Sequence, residues 1–127
     1  MLEIWAKSSV RWTLFLLVSV VVLYAMFRPT PAETLFDHSD KLGHILAFMI
    51  LGLSGRLALY RLPKAAFWLP MLLAAVVSEY LQGEILPLRS FSVGDIYANL
   101  AGVLLALVML EWFLRDVLRT LQLHRAA

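Results

Sequence analysis

The order of apolar and polar positions divides the chain into four long apolar stretches separated by short polar connections. The stretches cover about residues 12–27, 42–60, 66–82 and 93–114. Each is near or within the ~17–25 residues that a helix needs to cross a hydrocarbon core of about 30 Å. Their residues do not alternate with the period of a barrel strand. The pattern therefore predicts an all-α integral membrane bundle of four transmembrane helices.

Composition supports this prediction. Of 127 residues, 61% are hydrophobic and 16% are charged, against about 45–50% and about 25% in soluble domains. A chain this short could not bury so much apolar surface in a water-soluble core. Its length predicts one domain over residues 1–127, with the motifs in about residues 37–114. The absence of cysteine excludes disulfides and thiolate metal sites. Basic residues fall between the apolar stretches and form no stripe, so no nucleic acid partner is expected.

Positive charges predict the orientation, because Lys and Arg near helix ends are retained in the cytoplasm. Eight of the eleven lie on one side of the predicted bundle: Lys7, Arg11, Arg56, Arg61, Lys64, Arg115, Arg119 and Arg125. Only Arg28, Lys41 and Arg89 fall in the first and third connections. We therefore expect both termini to be cytoplasmic. Arg56, inside the second stretch, is expected to snorkel to the inner headgroups, so that helix two ends functionally near Ser54.

Most of the remaining polar residues lie at the outer ends of helices two, three and four. They are Asp40, Lys41 and His44 on helix two, Glu79 and Gln82 on helix three, and Arg89, Asp95 and Asn99 at or before the start of helix four. Residues three or four apart share a helix face, so the polar members of one helix point the same way. We expect these side chains to form a polar cluster at the outer face.

Glu79 is the most informative member of this cluster, because it follows an apolar run and lies about one turn inside the membrane edge. An ionisable group there is costly and normally faces a partner or a water-filled cavity. We expect Glu79 to face His44 or Arg89. Non-functional explanations stay open for others: Asp95 fits a capping box that begins at Ser92, Asp40 suits the start of a helix dipole, and His44 could be a satisfied interfacial histidine.

Neither a serine motif nor a possible metal site indicates a reaction by itself. Residues 52–55, GLSG, match the serine motif of rhomboid proteases, but Ser54 lies toward the cytoplasm and His44 is on the same helix, about 15 Å away. Gly52, Ser54 and Gly55 are better explained as small residues for close helix packing. A metal site of His44, Asp40 and Glu79 is weak ligand chemistry for zinc, so we expect neither a metal nor a cofactor.

Three ordered motifs resemble the VanZ-like membrane proteins: SDKLGH at residues 39–44, SEYLQ at 78–82 and RSFSVGDIYANLAG at 89–102. As an ordered set, D-K-x-x-H, E-x-x-Q and R-x-F-S-x-x-D-x-x-x-N-x-x-G are quite specific, whereas each alone is weak. The resemblance implies a compact four-helix bundle in the bacterial cytoplasmic (inner) membrane. The family takes its name from a member associated with teicoplanin resistance, which points to the cell envelope. It implies no established reaction.

The polar cluster supports three hypotheses of function. The first is an outward-facing pocket that binds or processes the anionic headgroup of a membrane lipid or a lipid-linked envelope precursor. In it, Lys41 and Arg89 hold the anion, Asp40, Gln82 and Asn99 help to bind it, and His44, Glu79 and Asp95 are the catalytic or orienting residues. The second is a hydrolase or transferase with Glu79 or His44 as general base. The third is a structural or accessory subunit whose cluster is an internal salt-bridge network. A homo-oligomer is compatible with all three hypotheses.

Overall fold

The computed structural model describes residues 7–31 and 33–123, and all regular structure in these ranges is helical. The elements are α1 (Ser8–Phe27), α2 (Ser39–Ala58), α3 (Lys64–Ile85), α4 (Val93–Val108), a π-helical turn (Met109–Phe113) that continues α4, and α5 (Arg115–Leu123). Arg125, counted above among the cytoplasmic charges, lies outside the described residues.

Four of these helices are long and apolar enough to cross a membrane, the fourth running from Val93 to Phe113, and this confirms the predicted all-α architecture. The helix ends differ slightly from the predicted ones. α1 begins at Ser8, α2 at Ser39, and α3 extends to Ile85. The helices extend beyond the apolar stretches because polar residues at the membrane edge continue the helical turns, and a hydropathy pattern does not count these residues.

Local chemistry explains where the helices begin and end. Arg28, which follows α1, is extended with ψ 143°, as expected for a residue that precedes a proline. His38 precedes α2 in a left-handed conformation with φ 62°, and Pro63 precedes α3. The hydroxyl of Ser92 caps α4 by accepting a hydrogen bond from the amide of Asp95.

The closest helix packing is between α2 and α4. A Cβ atom on Gly102 of α4 would collide with the carbonyl oxygen of Ile45 and would lie 3.0 Å from the amide nitrogen of Met49, both on α2. A Cβ atom on Gly52 of α2 would lie 2.9 Å from Cβ of Ala106 on α4. Small residues allow such close backbone approach in membranes, so these two glycines determine the distance between α2 and α4.

The GLSG segment has the packing role that its geometry predicts. The hydroxyl of Ser54 donates to the carbonyl of Ile50 in its own helix at 2.8 Å and is buried. A Cβ atom on Gly55 would lie 3.0 Å from the ring of Phe15 and 3.2 Å from that of Phe67. Gly55 therefore provides the space in which rings from α1 and α3 contact α2.

Apolar side chains pack inside the bundle and also cover its outer surface. The buried cluster includes Phe48, Ala75, Val103, Ala106 and Leu110. The least buried span is α1, where Leu16, Leu17, Val20 and Val21 are each more than half exposed. In a membrane these side chains contact acyl chains, because lipid takes up the apolar surface that water would reject.

The expectation that Arg56 snorkels out of the bundle is wrong. Its side chain is 4% exposed, and α2 continues past it to Ala58. The guanidinium donates to Oε1 of Glu111 at 2.8 Å and to the carbonyl oxygens of Leu59 and Leu62 at 3.2 and 3.0 Å. Arg56 is held inside because a carboxylate on the fourth span and two carbonyls after α2 satisfy its donors there.

The carboxylate of Glu111 has two further partners. Nε1 of Trp68 donates to its Oε1 at 3.1 Å, and Nζ of Lys64 lies 3.0 Å from its Oε2. We call Arg56, Lys64, Trp68 and Glu111 the Glu111 network. It joins α2, α3 and the π-helical turn at the end of the bundle where α1 begins.

Replacing Gly102 with leucine is expected to force α2 and α4 apart. Overpacking normally destabilises by about 1–3 kcal/mol, and here the obstacle is the backbone of α2, which cannot rotate away. The apparent Tm in detergent should fall by several degrees. Gly43→Ala is the matched control, because a Cβ atom on Gly43 would have no heavy atom within 4 Å; equal Tm values for the two variants would contradict the packing role of Gly102.

Candidate functional site

The end of α1, the start of α2, the end of α3 and the start of α4 form what we call the polar end of the bundle. Three ionisable side chains from three helices meet there: His44 on α2, Glu79 on α3 and Asp95 on α4. One side-chain nitrogen or oxygen of each lies within 4.8 Å of those of the other two. Glu79 therefore lies beside His44, one of the two partners expected for it. The catalytic roles of all three stay predictions.

Asp95 is joined to α2 by Lys41. Nζ of Lys41 lies 3.1 Å from Oδ1 of Asp95 and 3.4 Å from Oδ2 of Asp40. Gly94 leaves room for this contact, since a Cβ atom there would lie 2.9 Å from Cε of Lys41. Two carboxylates thus already engage the ammonium group. The ligand-binding roles of Asp40 and Lys41 stay predictions.

The capping box predicted at the start of α4 is only half formed. Ser92 accepts a hydrogen bond from the amide of Asp95 at 3.3 Å, as a capping serine should. The amide of Ser92 does not pair with the Asp95 carboxylate but donates to Oε1 of Glu79 at 2.9 Å. Gly83 permits this, since a Cβ atom there would lie 3.1 Å from the amide nitrogen of Phe91. The carboxylate of Asp95 is left to contact Lys41 and His44.

Asn99 is fully buried and orients the imidazole of His44. Its Oδ1 lies 2.8 Å from Nδ1 of His44, while its Nδ2 donates to the carbonyl of Ala75 at 3.0 Å and to the hydroxyl of Ser78 at 3.5 Å. One amide therefore joins α2, α3 and α4. Its position favours a positioning role over the predicted ligand contact, which stays untested.

Gln82 is also buried, and its amide nitrogen donates to the carbonyl oxygen of Met26 near the end of α1. This bond ties α1, the most exposed span, to α3 at the polar end. Gln82 lines the cavity described next, so its predicted contact with a ligand remains geometrically open.

A cavity of about 280 Å³ opens at the polar end. Four of the eight predicted site residues line it: Asp40, His44, Gln82 and Arg89. Its remaining wall comes from the end of α1, the connection that follows and α2, and includes Ala25, Met26, Leu35 and Ala47. Lys41, Glu79, Asp95 and Asn99 are not among its lining residues.

Arg28 also lines the cavity, and the sequence does not identify it as a site residue. Within the described part of the chain, Nε of Arg28 and Nε of Arg89 are buried without a hydrogen-bond partner, and neither arginine forms an ion pair. One signal could have identified Arg28. Arg28, Lys41 and Arg89 are the three basic residues on the sparsely charged side, and each lies at the polar end.

Comparison with known proteins gives one match. A family model described as VanZ/LLP1 matches residues 2–114 of the chain, a range that includes all three motifs on which the resemblance was based. No curated protein and no solved structure is detectably similar. The match extends over most of the chain and agrees with the four membrane spans. The chain is therefore a multi-pass membrane protein that belongs to the VanZ/LLP1 family.

Proposed function

We propose that the cavity at the polar end binds the phosphate-bearing headgroup of a membrane amphiphile in the outer leaflet. The observation that carries the proposal is the pair of arginines, Arg28 and Arg89, which line one cavity while their buried Nε atoms lack hydrogen-bond partners in the described chain. Unsatisfied buried donors are unfavourable unless something accepts from them. A planar guanidinium matches the oxygens of a phosphate in a bidentate arrangement.

In this proposal Arg28 replaces Lys41 as the partner of Arg89 in holding the anion. Lys41 is engaged by Asp40 and Asp95, whereas Arg28 has no carboxylate partner among the described residues. Thr34, Ser39 and His44 also line the cavity and offer neutral hydrogen bonds. Two carboxylates, Glu33 and Asp40, line the cavity as well, so the lining carries no net positive charge and the anion would be held by direct contact with the two guanidinium groups.

The surroundings favour a lipid over a soluble anion. Ala25, Met26 and Ala47 form an apolar wall of the cavity, on two membrane-spanning helices. A headgroup at the arginines would leave its acyl chains beside α1, whose outer face is apolar. The outer-leaflet position, with both termini cytoplasmic, rests on the positive charges alone, and labelling of His38 or Glu84 from the cytoplasmic side would contradict it.

Replacing Arg28 or Arg89 with glutamine is expected to weaken binding of phosphatidylglycerol about 10–100-fold, since a hydrogen bond to a charged group contributes about 1.5–3 kcal/mol. Binding is measured by native mass spectrometry of the detergent-solubilised protein with phosphatidylglycerol, phosphatidylcholine and inorganic phosphate in separate titrations. Gly43→Leu should weaken binding as well, because Gly43 lines the cavity and a side chain there meets no neighbour.

Arg119→Gln is the matched control, since Arg119 is exposed on α5 and pairs only with Asp116, at 4.0 Å. Equal affinities of the wild type, Arg28→Gln and Arg89→Gln would contradict the proposal. Equal affinity for phosphatidylcholine, whose phosphodiester is balanced by choline, would show that the cavity does not select headgroups of net negative charge. Binding of inorganic phosphate as tight as that of phosphatidylglycerol would assign the site to a free anion.

An internal network is the second candidate, and specific contacts favour it for part of the cluster. Lys41, Gln82 and Asn99 are already bonded within the protein. This alternative predicts that Arg28→Gln and Arg89→Gln leave the lipid affinity unchanged, and that replacement of a bonded member such as Asn99 lowers the Tm in detergent. The lipid affinity of the two arginine variants therefore separates the two hypotheses.

A further inference from the structure

We propose that His44, Glu79 and Asp95 bind one divalent transition-metal ion. One donor atom from each lies within 4.8 Å of the others, and three helices hold them. The set differs from the one weighed in the sequence, because Asp95, and not Asp40, lies with its carboxylate beside His44 and Glu79. The inference does not depend on the proposed headgroup binding, which rests on Arg28 and Arg89; His44 is common to both sites, whereas Glu79 and Asp95 do not line the cavity.

The hydrogen bonds of Asn99 determine which nitrogen of His44 is available. The amide NH₂ of Asn99 donates to the carbonyl of Ala75, which can only accept. Oδ1 of Asn99 is therefore the atom that faces Nδ1 of His44, and Nδ1 must carry the proton. In the neutral ring, Nε2 then has a lone pair, and it lies 3.7 Å from Oδ2 of Asp95. A lone pair and a carboxylate oxygen at this distance repel each other unless a proton or a metal cation lies between them.

As in the imidazole of His44, one atom of each carboxylate is engaged in a hydrogen bond within the protein, and the other oxygen is available to a metal ion. Oε1 of Glu79 accepts from the amide of Ser92, whereas Oε2 is buried and has no partner among the described residues. Oδ1 of Asp95 accepts from Lys41, which leaves Oδ2 facing His44. Metal ligands are typically oriented in this way, by a hydrogen bond to the atom that does not bind the metal.

Charge also favours a bound cation. Glu79 is 2% exposed, and a carboxylate buried to that extent needs a partner. Two carboxylates and a neutral imidazole carry two negative charges, and Lys41, whose ion pairs among the described residues are with Asp95 and Asp40, offsets only part of this charge. Arg89 interacts with Glu79 electrostatically but forms no ion pair with it. A divalent ion at the centre would satisfy Oε2 of Glu79, Oδ2 of Asp95 and Nε2 of His44 together.

The donor set indicates the class of metal. One imidazole nitrogen with two carboxylates is the same weak donor set for zinc that the sequence indicated, and it suits manganese(II) at least as well as zinc; calcium and magnesium prefer oxygen ligands alone. Donors around tetrahedral zinc lie about 3.4 Å apart, given bonds of about 2.1 Å. The observed limit of 4.8 Å requires only small side-chain rotations. Three protein ligands leave a coordination position open, as in zinc sites that activate a water molecule or a substrate oxygen.

The test measures metal binding directly. The full chain, purified without a polyhistidine tag, is treated with a chelator, dialysed and titrated with zinc or manganese chloride by isothermal calorimetry. Bound metal is counted by elemental mass spectrometry. We expect one equivalent for the wild type and a loss of affinity of about tenfold or more for Glu79→Gln, Asp95→Asn and His44→Gln. Cobalt(II) should give a visible absorption band that depends on His44.

Two controls use exposed residues near the same end of the bundle: His38→Gln and Glu84→Gln. They should leave the affinity unchanged, and a loss equal to that of Glu79→Gln would assign binding to the surface. Thermal unfolding separates metal loss from misfolding, since added zinc should raise the Tm of the wild type and not that of Glu79→Gln. Absence of a stoichiometric metal in the folded wild type would overturn the proposal and would indicate a proton shared by the three groups.

Discussion

Glu111→Leu should lower the free energy of unfolding by about 3–5 kcal/mol, as expected when one partner of a buried ion pair is removed. The substitution leaves the guanidinium of Arg56, 4% exposed, with the carbonyls of Leu59 and Leu62 as its remaining hydrogen-bond partners among the described residues. It also removes the acceptor of the Trp68 indole. The apparent Tm in detergent, followed by circular dichroism, should fall by more than ten degrees or the protein should not accumulate.

The double variant Arg56→Met/Glu111→Leu should recover much of this loss, because it removes both buried charges and puts apolar side chains in their place. Asp116→Ala is the control ion-pair deletion. Asp116 and Arg119 are 4.0 Å apart, and both side chains are largely exposed, so about 0–1 kcal/mol is expected. A double variant less stable than Glu111→Leu, or an effect of Asp116→Ala as large as that of Glu111→Leu, would show that burial does not dominate the Glu111 network.

Asn99→Leu is expected to have the second largest effect. The new side chain fits a similar volume but leaves Nδ1–H of His44 without its acceptor, and a buried unsatisfied donor costs about 1–3 kcal/mol. The bonds to Ala75 and Ser78 on α3 are lost as well. Since the same amide orients the imidazole, metal affinity should fall in parallel, which calorimetry in detergent would detect.

Tyr97→Leu is the matched control for Asn99→Leu, because Tyr97 lies two residues away on α4 and is 69% exposed. It makes the same kind of polar-to-apolar change on the outer face of the helix. We expect its Tm to stay within a few degrees of the wild type. Retention of wild-type stability by Asn99→Leu would mean that the three contacts of Asn99 contribute little to holding α2, α3 and α4 together.

The spans could be predicted from sequence because each is a continuous apolar run, and lipid accepts few backbone structures. Glu79 could also be identified, since an acid inside an apolar stretch needs a partner. Arg56 led to the wrong prediction for an instructive reason. Its partner, Glu111, is 55 residues away, and only the crossing of α2 and the fourth span brings the two together. Hydropathy contains no information about that contact.

The same limit applies to the polar end. The helix faces of His44 and Asn99 follow from spacing, but their mutual hydrogen bond depends on how closely Gly102 lets α2 approach α4. From sequence, Arg28 is interpreted as a topology charge because it falls between two apolar stretches. Its place in the cavity depends on the path of the connection after α1. Tertiary geometry, not residue type, separates it from other basic residues.

Helix α5 determines where the chain can be truncated without loss of buried contacts. The family match ends at residue 114, directly before α5, and α5 carries no family motif. Nevertheless Leu118 and Leu121, three residues apart on one face, belong to the same buried cluster as Leu110 and Val103. The buried core of this protein thus extends beyond the segment that the family model matches, so a fragment trimmed to residues 2–114 would expose core side chains that Leu118 and Leu121 cover.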